Sequence, residues 1–246
     1  MTADPPAQRP QAIAVGDSVT LLAGAVVDPA VAELTWAERV AADAGWDLRT
    51  FAVSGARTAE IVELVPTEGR FDVALACAGT NDCISPKTWD PARFRSHVED
   101  LAGRLAVRAD QVVLLGLAPN LLRLPVPLAY GFGRARRVRT ANAIIAAVAD
   151  LRGAVFVPAP RLRTPVELYG DRIHPTTVGS ARLAGVVAER LGVPHAPVTA
   201  RPSAEFLRAS RRKLLHDAIV RPPRGVMSSL LGLVARRRAR VSRSRG

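Results

Sequence analysis

Four short blocks of the chain carry residues able to do nucleophilic and acid–base chemistry. They are Gly16-Asp17-Ser18, Ser54-Gly55-Ala56, Gly79-Thr80-Asn81-Asp82 and Asp171-Arg172-Ile173-His174-Pro175. Each brings a different chemical type: a hydroxyl at Ser18, an unobstructed backbone N–H at Gly55, a side-chain amide at Asn81, and a carboxylate three residues ahead of an imidazole at Asp171 and His174. Taken singly, each has an ordinary explanation. Glycine, aspartate and serine build turns, an asparagine caps or turns a chain, and a histidine before proline fits the first turn of a helix. On its own, Ser18 is open between turn residue and nucleophile, and it is the joint occurrence of the four blocks that favours chemistry.

The elements that would position these blocks are legible as short apolar runs at 12–15, 48–53, 72–78, 111–117 and 154–157. They are rich in valine and alanine and apolar on both faces, as strands buried on both sides of a parallel sheet should be. Segments with helical spacing lie between them, such as Val138, Ala141, Ile144, Ile145 and Val148. The alternation predicts a doubly wound α/β fold with a mainly parallel five-stranded sheet and helices on both faces. In such a sheet ligands bind beyond the carboxyl ends of the strands, and three of the four blocks directly follow a predicted strand. The fourth precedes a last helix bearing Ala184, Val187, Ala188 and Leu191 on one face, which Gly192 and Pro194 terminate.

Composition limits the partners. The 246 residues carry a net charge of +12, but residues 196–246 hold 13 basic and 2 acidic side chains, so the rest is close to neutral. This predicts three parts: a polar extension at 1–10, one catalytic domain at 11–195, and a basic tail at 196–246. The tail's ten-residue apolar run at 226–235 falls short of the roughly 20 residues needed to span a bilayer. Flanked by arginines, that run is open between an anionic lipid interface, packing on a partner, and a solvated basic extension. The arginines lack interleaved aromatic residues, which argues against nucleic acid. Cys77 and Cys83 lack a zinc spacing and are too few for a disulfide framework. No secretory signal is visible, so a cytoplasmic location, in part peripheral to the membrane, is expected.

In their order and spacing the four blocks resemble the SGNH hydrolases, also called GDSL esterases and lipases, over roughly residues 12–192. The resemblance implies a flavodoxin-like fold, Ser18 as nucleophile, Asp171 and His174 as its partners, and an oxyanion hole from Ser18, Gly55 and Asn81. The chemistry is coherent, because a serine hydroxyl needs a positioned imidazole to take its proton and a carboxylate to hold that imidazole's tautomer. The expected activity is cleavage of a carboxylic ester through an acyl-enzyme, without metal or organic cofactor, on a small ester, an acylated sugar or a lipid. Asp17 and Asp82 are expected to shape turns by hydrogen bonding, while His97, His195 and His216 read as surface or structural residues. The family's second block often carries an asparagine near the position of Thr50, a change in the local support of Gly55. The apolar, proline-rich stretch 117–137, on the same edge of the sheet as the site, is open between a long loop that lines an acyl pocket and an ordinary long loop packed on the body. The competing reading is a catalytically idle binding protein that acts at a membrane surface or partner through its tail.

Overall fold

The computed structural model describes residues 9–21, 34–84, 86–119, 128–163, 166–168, 173–196, 203–209 and 211–212, with 128–132 as backbone only. Five strands, β1 (Gln11–Gly16), β2 (Asp47–Ala52), β3 (Phe71–Cys77), β4 (Ala109–Leu115) and β5 (Val155–Val157), pair in parallel in the order β2-β1-β3-β4-β5. The chain leaves β1 toward one edge and returns at β3 toward the other. The doubly wound fold class expected from the alternation is therefore the observed one.

Helices cover both faces. α1 (Trp36–Ala44) packs with α6 (Thr177–Leu191) on one side, while α2 (Thr58–Val62), α4 (Pro91–Arg108) and α5 (Leu128–Arg152) form the other layer, with the short α3 (Thr80–Ile84) against α5. Local sequence sets the boundaries. Thr35 and Glu38 form a reciprocal capping box at the start of α1, and Asp90 caps α4 ahead of Pro91. These side chains satisfy backbone N–H groups that have no partner inside the helix. Gly192 ends α6 in the left-handed conformation.

Two sequence expectations need correction. The strands are not all buried on both faces, because β2 lies at an edge and exposes Asp47, Arg49 and Thr50. Charged side chains on an edge strand discourage pairing with another chain. The stretch 117–137 is not a loop throughout, because α5 begins at Leu128. Gly131 and Gly133 within it each cost about 1 kcal/mol in a helix. The downstream turns of α5, buried through Val138, Ala141, Ile145 and Val148, offset that cost, because extending an existing helix is far easier than nucleating one. Residues 120–127 of the stretch lie outside the described residues.

Candidate active site

Because the winding direction reverses between β1 and β3, their carboxyl ends diverge into a crevice, the usual ligand position in an open α/β sheet. Ser18 sits in the turn after β1, and Asn81 lies on α3, which opens three residues after the end of β3. Gly55 follows β2. The sheet therefore brings three of the predicted blocks to one edge.

His174 arrives from the far end of the chain. Its Nε2 lies 2.8 Å from the Ser18 Oγ across 156 residues of sequence. The chain just after it is tied down. Pro175 pairs with Leu168 in an isolated antiparallel bridge, the Thr176 N–H donates to the Glu167 carbonyl at 3.0 Å, and the Thr176 hydroxyl donates to the Val166 carbonyl at 2.7 Å. Thr176 then caps α6, accepting from the Gly179 N–H at 3.1 Å. The helix begins after this cap, so His174 is not a residue of its first turn, the ordinary explanation open to it in the sequence. Asp171 lies outside the described residues.

Asn81 directs its amide nitrogen toward the Ala56 carbonyl at 2.9 Å and the Asp17 Oδ2 at 3.4 Å. The second contact is long for a hydrogen bond and is the more easily exchanged for another acceptor. Gly55 has φ +84, and among the described residues, its two chain neighbours aside, no atom lies within 4 Å of the point a side-chain methyl would occupy there. Its backbone conformation, rather than crowding by the protein, is what favours glycine there. Asp82 accepts from both the N–H and the hydroxyl of Thr58, at 3.0 and 2.9 Å. This pair fixes the Asn81 block against the start of α2, three residues beyond Gly55. Thr58 escaped the sequence reading because a threonine opening a helix has an ordinary role; its partnership with Asp82 spans 24 residues.

Asp17 is fully buried beside Ser18. Burial pushes its carboxyl up to about 6, against the opposing pull of the Val19 N–H, the Thr80 side chain and the nearby His174. The Val19 N–H donates to Oδ1 at 2.9 Å, which closes the turn over the serine. Both cysteines are buried free thiols. Burial pushes Cys83 up to about 12 and Cys77 well above its ordinary value, so both stay protonated thiols and are poor nucleophiles. Among the described residues no three His, Cys, Asp or Glu side chains converge as a metal site. His97 lies within α4, and His195 follows α6 at the surface; His216 lies outside the described residues.

Solved structures share this architecture at low sequence identity. An alpha/beta hydrolase enzyme, LAE5, from the metagenome of Lake Arreo matches with a TM-score of 0.59 and 17% identity, covering 76% of this chain and 97% of that one. Axe2, an acetylxylan esterase from Geobacillus stearothermophilus, matches with a TM-score of 0.56 and 14% identity, covering 75% and 95%. A member of the lipolytic protein G-D-S-L family from Veillonella parvula gives 0.57 and 14%, covering 73% and 96%. No curated protein sequence matches the chain. Residues 14–182, a span that contains every block described above, match the model of the GDSL-like Lipase/Acylhydrolase family, and the chain belongs to that family of carboxylic ester hydrolases.

Proposed function

We propose that the protein cleaves a carboxylic ester with Ser18 as nucleophile and His174 as general base. The Ser18 Oγ bonds to the ester carbonyl carbon as His174 Nε2 takes its proton. The tetrahedral oxyanion is met by the N–H groups of Ser18 and Gly55 and by the Asn81 amide, which exchanges its long contact with Asp17 for the substrate. Collapse breaks the bond to the alcohol oxygen, which leaves with the proton from the imidazolium. Water then attacks the acyl-enzyme, gives a proton to His174, and releases the carboxylic acid as Ser18 recovers its own. Asp171, three residues before His174, is assigned to orient and stabilise the imidazolium. A small ester, an acylated sugar such as the acetylated xylan named for Axe2, or a lipid supplies the substrate. We assign the basic tail, which lies largely outside the described residues, to contact with anionic lipid.

The observation that carries this reading is the 2.8 Å approach of Ser18 Oγ to His174 Nε2, since a turn serine has no need of a base. The test is labelling with a fluorophosphonate probe followed by peptide mapping. The expected result is modification of Ser18, with labelling and ester cleavage both abolished in Ser18→Ala at an unchanged melting temperature. Labelling at another serine, or turnover that survives the substitution, would overturn the assignment.

A further inference from the structure

We propose that a small apolar cavity beside the segments that carry Ser18 and His174 receives the acyl part of the ester and restricts it to chains of about two to four carbons. The inference rests on the hydrolase reading above and adds the substrate's acyl class to it. The cavity holds about 40 Å³ and takes its walls from the ends of β3, β4 and β5, from α5 and α6, and from the segment around His174. Its lining includes chain neighbours of the reacting residues. Val19 follows the nucleophile, Thr80 precedes Asn81, and Ile173 and Pro175 flank His174. Leu115, Leu162 and Leu183, all buried, supply apolar wall. Arg134 is the charged residue of the lining, and Thr80 turns its hydroxyl to Asp17, so the remaining wall favours alkyl groups.

Topology assigns the cavity to the acyl group rather than the alcohol. In the order β2-β1-β3-β4-β5, Ser18 after β1 lies between Gly55 on the β2 side and the cavity on the β4–β5 side. Ser54 and Gly55 are exposed. The alcohol has to leave before water can enter, and the open side lets it do so. An apolar recess suits the group that stays bonded to Ser18 through the acyl-enzyme stage.

Size sets the chain length. A water needs roughly 10–15 Å³ of such volume, so the cavity accepts about three groups of that size. One methyl to three carbons beyond the carbonyl fit, and the seven of an octanoyl chain do not. An excluded methylene in a fitted pocket costs about 10- to 200-fold in discrimination.

The experiment measures kcat/KM on p-nitrophenyl esters from acetate to decanoate, for the intact protein and for two wall variants, with fluorophosphonate labelling run in parallel. In the wild type, kcat/KM should fall by about 100-fold or more between butyrate and octanoate. Leu162→Ala, which deepens the recess, should raise octanoate relative to acetate by about 10-fold or more. Ala159→Leu, which fills it, should depress butyrate relative to acetate by a similar factor. A wild-type profile flat to octanoate overturns the proposal, as do two folded variants with unchanged profiles, in each case with Ser18 still labelled. Failure of Ser18 to label at all would overturn the hydrolase reading, and the acyl assignment with it.

Discussion

The carboxyl of Asp17 is a buried acid whose ionisation has consequences for both folding and turnover. Its folded value of about 6 lies above the ordinary 3.8, so the native state holds this proton more tightly than the unfolded chain does. The stability tied to protonated Asp17 is fully present below about pH 4 and is lost as pH rises through about 6, a change of about 3 kcal/mol. Asp17→Asn removes that dependence. Melting curves from pH 4.5 to 7.5 should therefore show the wild type losing stability relative to the variant as pH rises; parallel curves would refute the buried ionisation. Ionised Asp17 also favours the imidazolium formed in the transition state, so the variant should lose about 10- to 100-fold in kcat while Ser18 still labels. Asn81→Ala should cost about 100- to 1,000-fold in kcat with KM little changed, which steady-state kinetics would check. At this scale the chemical groups were readable because each block is short and contiguous. Their supports were not: the carbonyl of Ala56 that receives Asn81 and the Thr58 that holds Asp82 become partners only when separate loops meet.

The turn between β3 and α3 shows how an element depends on one residue. Gly79 adopts φ +112, and a methyl group placed on it would come within 2.8 Å of the Phe94 ring. Phe94 is buried and paired with Trp89 at 5.3 Å between ring centroids, so it has little room to yield. Gly79→Ala should destabilise the protein by about 2 to 4 kcal/mol and move Asn81 off its position. Denaturant melts combined with kcat would show both losses, and a variant of wild-type stability would contradict this account of the turn. Strand and helix positions followed from apolar periodicity, with β1, β3 and β4 found within two residues of the expected runs. The exposure of β2 was not legible, because the composition of a strand does not say that it will lie at an edge of the sheet. Nor was the start of α5, where two glycines disfavour a helix that packing further along sustains.

At the scale of the molecule, the division drawn at residue 195 is a proposal that the tail itself qualifies. Residues 204–209 are helical, the Ser203 hydroxyl accepts from the Phe206 N–H at 3.1 Å, and Phe206 is buried. Removing residues 213–246 should leave the melting temperature and small-ester turnover unchanged while abolishing binding to phosphatidylglycerol vesicles. The intact chain should bind such vesicles less as salt is raised. Removing everything after 195 should in addition cost about 3 kcal/mol through the loss of Phe206. Vesicle binding that survives the shorter deletion would refute the lipid assignment. The alternation along the chain disclosed the fold class, but the packing of Phe206 depends on a surface assembled elsewhere. A last consequence follows from the separation of the two reacting side chains, one after the first strand and the other just before the last helix of the sheet domain. The sheet can regain its far-ultraviolet signal while the imidazole is still unplaced. Catalytic activity is thus a timer for the end of folding, and in refolding from denaturant the return of ester cleavage should trail the return of secondary structure.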